Sequence, residues 1–239
     1  MFLQLYDGEV KVVYTIMHRY IDIIRKTDLF GGICTENIGK ILDYFNAEIH
    51  YFDKGEYIFE PDHEIDKIAV FIDGCASVIN RDFIGNSTEL YQLEKGGIFG
   101  EVHSLLPYDT RTVTVIALSP VAVLFIDVDC VLTLVPEISD CQSQLRSNLM
   151  RIMAKKLLSH MRKLEHISRR STRQKLLSYF TEQMNVHQSS AFDIPFTRQQ
   201  LADYLAVDRS AMSCELSKMQ KDGLIRYNLN HFELIAETE

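Results

Sequence analysis

The chain lacks the cysteine spacing that builds metal sites and disulfide frameworks. Its five cysteines stand at 34, 75, 130, 141 and 214. No two form a C-x-x-C pair and the number is odd, which argues against disulfides, zinc and iron–sulfur clusters. Thiols buried in a reducing compartment are the expectation. No apolar run approaches the ~18 residues that a membrane span needs. The opening Met1-Phe2-Leu3-Gln4 lacks the basic stretch and apolar core of a secretory signal. A cytoplasmic protein with no membrane association is therefore expected. Glycine and proline are missing from 137 to 168, which leaves room for one long helix.

What is present is ordinary in bulk and uneven along the chain. The 239 residues suffice for one large domain or two small ones, and 46% hydrophobic with 24% charged residues suits a globular protein. The net charge of −8 hides an asymmetry. Residues 1–150 hold 11 Lys and Arg against 23 Asp and Glu; residues 151–175 hold 9 against 1; residues 176–239 hold 5 against 9. An acidic front joined to a strongly basic segment points to an anionic partner, although a basic helix facing solvent gives the same count.

Residues 14–45 read as helix and loop, with Ile38, Ile41, Leu42 and Phe45 at helical spacing behind a capping candidate, Thr35. From about 48 to 128, short β-rich runs alternate with turns. Residues 68–72 precede Asp73-Gly74, and 76–79 lead to a loop at Gly85-Asn86-Ser87. Residues 90–93 end at Lys95-Gly96-Gly97, and 112–117 and 121–126 flank Ser119-Pro120. Such spacing suggests a closed roll or sandwich. From 137 to 168, Met150, Met153, Leu157, His160, Leu164 and Ile167 repeat at the 3-4 spacing of a two-stranded coiled coil. Leu145, Leu149 and Ile152 form a second stripe able to pack on the roll. Two stripes on one helix favour burial on two sides, and so a homodimer.

The most specific stretch is 197–225. Thr197 caps a first helix, with Gln200 three residues on to complete a capping box. Leu201 and Leu205 give that helix an apolar face, and Ala206-Val207 make a tight turn. Asp208 caps a second helix whose apolar side is Met212, Leu216 and Met219, and Gly223 sits just past its end. Residues 224–227 and 231–235 then flank Asn228-Leu229-Asn230 as a hairpin. The second helix begins with exposed Arg209-Ser210, one turn before Ser213-Cys214. In a helix-turn-helix these positions meet base edges in the major groove, where an arginine fork matches guanine. Thr197, Arg198, Gln199, Asp208, Arg209, Ser210, Ser213, Cys214 and Lys218 form the expected DNA-binding set, with Arg198, Gln199 and Lys218 on phosphates.

With these residues in place, the whole chain resembles the Crp/Fnr family of bacterial transcription regulators. The resemblance implies an α+β fold with three parts. An N-terminal double-stranded β-helix (jelly-roll) sensor covers 1–135, a long dimerisation helix 136–170, and a C-terminal winged helix-turn-helix 171–239. It makes Arg209 the base-reading arginine, with Ser210 and Ser213 beside it. Many relatives carry a second arginine where this chain has Cys214, which leaves the half-site sequence open. The implied partners are double-stranded DNA at a two-fold symmetric site, a second copy of the chain, and RNA polymerase.

The segment 97–113 resembles the same family's sensor. Gly100-Glu101 and Arg111-Thr112 stand at the spacing of its cyclic-nucleotide-binding members. Glycine lets backbone N–H groups approach a phosphate, arginine binds phosphate oxygens in pairs, and glutamate accepts from a ribose hydroxyl. The expected effector set is Gly100, Glu101, Val102, Arg111 and Thr112, with Ser159 and His160 from the long helix. The effector is cAMP, cGMP or another small molecule. Where cAMP-binding relatives place a Thr-Ser pair on the long helix, this chain reads Leu158-Ser159-His160-Met161. His160 in the seam is either a pH-responsive group or a tolerated polar residue.

Two alternatives stay open. An effector-independent regulator would have Arg111 and Glu101 paired in a vestigial pocket. A cupin-like metal-dependent enzyme would need clustered His and carboxylate ligands, for which His103 is the lone candidate near the pocket. Haem ligation by Cys75, His63 or His103 has no ligand spacing behind it. No catalytic or metal residue is expected.

Overall fold

The computed structural model of the chain describes residues 20–60, 65–81, 87–106 and 113–235. The chain divides into two compact units between Ile152 and Met153, inside the long helix.

The first unit opens with α1 (Thr35–Tyr44), which buries Ile38, Ile41 and Leu42. Thr35 is its first helical residue and not its cap. The extended Cys34 holds the N-cap position without a side-chain bond, and its carbonyl accepts from the Ile38 N–H at 3.0 Å. The turn thus closes one residue earlier than expected.

Eight strands follow: β1 (Glu48–Phe52), β2 (Tyr57–Phe59), β3 (Lys67–Asp73), β4 (Ala76–Arg81), β5 (Ser87–Leu93), β6 (Ile98–Phe99), β7 (Val113–Ala117) and β8 (Val121–Asp127). They form two antiparallel four-stranded sheets, ordered β1-β8-β3-β6 and β2-β7-β4-β5. The period-two alternation of strands sends Ala69, Phe71, Val78, Leu93, Val115, Val123 and Phe125 into one shared core. Phe59 packs there against Phe99 at 5.0 Å and Phe125 at 5.8 Å between ring centres. The runs at 68–72 and 121–126 lack polar alternation because β3 and β8 are buried on both faces. Gly74 turns β3 into β4 at φ +78°, where a Cβ would lie 2.2 Å from the Pro120 carbonyl.

Two short helices follow the roll's strands: α2 (Glu101–Leu105) after β6 and α3 (Val128–Leu132) after β8. A 3-10 turn at Pro136–Ile138 leads into α4 (Ser139–Ile167). Leu145, Leu149 and Ile152 are buried on α4. Its polar residues fasten the same side. The Gln142 carbonyl accepts from the Val135 N–H at 3.0 Å and its amide donates to the Thr133 carbonyl. Asn148 donates to the Leu29 and Gly31 carbonyls at 3.0 and 2.8 Å. The other expected stripe is largely bare: Met150, Leu157 and Leu164 are 71%, 62% and 60% exposed, His160 is exposed, and Met153 and Ile167 are half-buried.

The second unit adds α5 (Thr172–His187), β9 (Ala191–Asp193), α6 (Arg198–Tyr204), α7 (Arg209–Lys221), β10 (Ile225–Asn228) and β11 (His231–Leu234). The three strands make one antiparallel sheet ordered β10-β11-β9. Leu176, Tyr179, Phe180, Phe192, Leu201, Met212, Leu216, Met219 and Phe232 close a separate core, with Phe180 and Phe232 at 4.5 Å. β9 was absent from the sequence pattern because three residues are too few to show alternation.

Candidate nucleic-acid interface and effector site

The reading helix is built by local chemistry. Thr197 caps α6 and forms both halves of a capping box with Gln200. Ala206 turns the chain at φ +50°. Asp208 then caps α7, accepting from the Ala211 N–H at 2.8 Å and from the Ser210 hydroxyl at 2.5 Å. The Ser210 bond, followed by the Ala211 N–H, holds the Asp208 carboxyl below the usual aspartate range. Gly223 follows the helix at φ +76°.

Burial separates the two faces of α7. Met212, Leu216 and Met219 face the core, while Arg209, Ser210, Ser213, Cys214 and Lys218 are exposed. Among the described residues, the Arg209 side chain makes no hydrogen bond or ion pair, so its donors are available to a ligand. Ser213 turns its hydroxyl back to the Arg209 carbonyl at 2.9 Å. Lys218 lies 3.9 Å from Glu215.

The residues expected on phosphates differ in their surroundings. Gln199 donates to Asp203 at 2.8 Å and stays exposed. Arg198 does something the sequence did not suggest. Its guanidinium lies 4.9 Å from the centres of both the Tyr227 and Phe232 rings and donates to the Leu229 carbonyl at 2.8 Å. Desolvation there lowers its pKa from the usual arginine value. Arg198 is thus a strut between α6 and the β10–β11 wing.

The basic segment 151–175 is also partly engaged inside the fold. Arg173 bridges Glu215 at 2.6 Å and Asp222 at 2.7 Å, tying α5 to α7. Lys175 donates to the Leu205 and Ala206 carbonyls, both at 3.1 Å, closing the turn between α6 and α7. Arg162 pairs with Glu182 and Arg169 with Glu165. Arg173 and Lys175 are thus built into the fold, whereas Arg162 and Arg169 stay exposed although paired.

In the roll, Gly100 is the left-handed N-cap of α2, at φ +90°. A Cβ there would lie 2.5 Å from the Lys67 carbonyl, so only glycine fits. Glu101 is buried at 3% exposure, and Val102 is exposed. Tyr91 shares the inward face of β5 with Leu93. Desolvation, and then the negative charge of Glu101, push its phenol up to about 12, although two-fifths of the residue stays exposed (40%). Arg111, Thr112 and His63 lie outside the described residues. Ser159 and His160 are exposed on α4, beyond the division between units. Ser159 lines a cleft of about 260 Å³ with Lys155, Leu158, Arg162, Glu182 and Tyr204.

Among the described residues, no group of three or more His, Cys, Asp or Glu is placed to hold a metal. Cys34, Cys75, Cys141 and Cys214 are free, but Cys34 and Cys214 are exposed and Cys75 and Cys141 half-buried, so the expectation of buried thiols fails at these four. No described helix is long and apolar enough to cross a membrane.

Comparison with known proteins gives matches at both ends. The cyclic nucleotide-binding domain matches residues 49–137, and the Crp-like helix-turn-helix domain matches residues 174–237. No curated protein matches the sequence significantly. Among solved structures, CprK complexed with OCPA is 13% identical over 82% of this chain and 90% of its own, with a TM-score of 0.63. The c-di-GMP responsive global regulator CLP of Xanthomonas campestris is 18% identical over 85% of this chain and 100% of its own, with a TM-score of 0.54. The sensor domain of the transcriptional regulator DNR from Pseudomonas aeruginosa is 15% identical over 61% of this chain and 93% of its own, with a TM-score of 0.50. At these identities the solved structures show the shared fold, whereas the two matched domains, in this order on one chain, carry the assignment. The chain belongs to the Crp/Fnr family, as a DNA-binding transcription regulator with a cyclic-nucleotide-binding-like sensor domain ahead of its Crp-like helix-turn-helix.

Proposed function

We propose that the chain acts in the cytoplasm as a homodimer, by binding and not by catalysis. It reads a two-fold symmetric DNA site through the exposed face of α7, under control of a small effector in the roll. The observation that carries this reading is that face: Arg209, Ser210, Ser213, Cys214 and Lys218 lie together on a doubly capped helix whose opposite side is locked in the core. Arg209 is the base reader, and Gln199 and Lys218 hold phosphates. Thr197 and Asp208 place α6 and α7. Arg198 supports the wing that follows.

The domain plan is a sensor over 1–135, a dimerisation helix over 136–170 and a reader over 171–239. Met150, Leu157 and Leu164 stand seven residues apart and exposed, the repeat that a second α4 would cover. The effector set is Gly100, Glu101, Val102, Arg111 and Thr112, joined by Ser159 and His160. The effector is cAMP, cGMP or another small molecule, and RNA polymerase is the further partner of the DNA-bound dimer. An effector that favours one arrangement of the two readers shifts an existing equilibrium.

A second reading has one observation in its favour. Glu101 is already buried at 3% exposure and has partners, as it would in a regulator that needs no effector.

The test is a DNA affinity measurement on a site selected from random duplexes, with and without cAMP or cGMP, for the wild type and Arg111→Ala. Tighter binding on adding nucleotide, lost in the variant, supports the effector-controlled reading. Tight binding indifferent to both nucleotides supports the effector-independent one. Absence of any selected site contradicts the proposal.

A further inference from the structure

We propose that His166 and Glu182 are positioning residues for DNA recognition. They lock the end of the long helix to the first helix of the winged domain, and so set the angle at which α7 is presented. The inference rests on the dimeric DNA-reading function above.

His166 sits in the last turn of α4 and is 2% exposed. Its Nε2–H donates to Glu182 Oε2 at 2.7 Å, since a carboxylate only accepts, and its Nδ1 lies 2.9 Å from the Ser178 hydroxyl. Both partners are on α5. The second Glu182 oxygen takes Arg162 of α4 at 3.1 Å. The ring stands edge-on to Tyr179 at 5.8 Å and tilted against Tyr204 of α6 at 6.2 Å. Lys163 lies 5.4 Å over the Tyr204 ring. All of these residues belong to the unit that starts at Met153.

The connector at 168–171, where the sequence divides the dimerisation helix from the reader, is therefore bridged by bonds on both sides. The bridge continues to the reading helix. α5 is tied to α7 through Arg173 with Glu215 and Asp222, and to the turn before α7 through Lys175.

Two features indicate that this cluster sets geometry and does more than add stability. A hydrophobic residue at 166 would bury as well without any polar partner to satisfy, and directional bonds fix orientation in a way that apolar contact does not. Beside the cluster, the α4–α5 angle is not filled by packing. A groove of about 1130 Å³ opens there, lined in part by Arg162, Arg169, Arg170, Thr181 and Glu182. With space on that side, the polar bonds add direction to the ring contacts with Tyr179 and Tyr204 in holding the angle.

A dimer with fixed readers discriminates sharply between half-site spacings, because each added base pair both shifts and rotates the second major groove. The test uses full-length protein and a two-fold site selected from a random duplex pool, then altered by one base pair in its centre. Wild type should lose roughly tenfold or more in affinity on the altered spacing, the scale of a lost base contact. His166→Phe and Glu182→Ala, which remove the donor and the acceptor of the bond, should bring the two spacings within about twofold while single half-site binding is unchanged. His166→Gln, which keeps a donor toward Glu182, should restore the discrimination. Undiminished discrimination in His166→Phe overturns the proposal, as does equal loss of half-site and full-site binding with a fallen melting temperature. Hydrogen exchange supplies a readout without DNA. Peptides covering 157–168 should exchange faster in His166→Phe than in wild type and His166→Gln, and no change there also overturns it. A wild type that selects no two-fold site fails the dimeric reading itself, and exchange then decides the lock alone.

Discussion

At the scale of single residues, the second unit separates what reads from what supports. Arg198 stands at the first turn of a helix-turn-helix, where a phosphate contact is expected, yet its guanidinium is inserted in the wing. Arg198→Ala should lower the melting temperature of the winged unit by about 10 °C or more. The two cation–π contacts contribute about 0.5–1 kcal/mol each and the carbonyl bond about 1 kcal/mol, and about 1 kcal/mol moves a unit the size of Met153–Glu239 by ~4–8 °C. The slope of DNA affinity against salt should stay constant, whereas loss of a phosphate contact would reduce it by about 1. Calorimetry and a salt titration check both halves.

Asp208 makes a pH prediction. Its carboxyl titrates below the ordinary aspartate value, so its cap is fully present above about pH 4, the unfolded value. The cap is lost as pH falls through the lower folded value. The Ala211 amide resonance should report that lower midpoint, and a midpoint at the ordinary aspartate value would contradict the cap. Caps were legible from sequence because Thr197, Gln200, Asp208 and Gly223 act within one turn. The fate of Arg198 was not, because its carbonyl partner lies 31 residues downstream.

At the scale of elements, the wing carries a visible strain. The two-residue turn between β10 and β11 places Leu229 at φ +50° and 81% exposed. A left-handed residue with a Cβ costs about 1–2 kcal/mol, while glycine adds about 0.5–1 kcal/mol of unfolded-state entropy. The first is the larger, so Leu229→Gly should stabilise the fold slightly in a thermal melt. In the roll, the Thr114 hydroxyl is buried and has no partner among the described residues. Replacing an unsatisfied buried hydroxyl by an isosteric methyl removes a desolvation penalty of roughly 1–3 kcal/mol. Thr114→Val should therefore raise the melting temperature. The strong apolar runs of β3, β4, β7 and β8 were readable in the sequence, whereas β1, β2 and β6 are short or polar and become strands only through their neighbours. The length of α4 was readable because nothing in 137–168 breaks a helix.

At the scale of the whole molecule, two stripes on α4 have different fates. Leu145 and Leu149 are buried within the chain, while Met150, Leu157 and Leu164 are bare. Leu157→Asp should convert a dimer to a monomer in light scattering and weaken DNA binding with it. A Leu157→Asp protein that stays dimeric would move the interface off this stripe. The sensor was legible through its strand spacing and through Gly100, whose backbone demand is local, while Arg111 and Thr112 of the expected effector set lie outside the described residues. The sequence also overstated the free charge of the basic segment, since Arg162 and Arg173 pair with Glu182, Glu215 and Asp222, which lie outside it.

The most direct test of the account is the base specificity of Arg209→Ala. Affinities of wild type and variant would be measured on the selected site and on the same site with each base pair changed in turn. The variant should lose about 1–3 kcal/mol of discrimination at one base pair in each half-site, the worth of an arginine–guanine contact, with binding to unrelated DNA nearly unchanged. Uniform weakening across all sequences, or an unchanged specificity profile, would contradict the claim that this face of α7 reads the DNA.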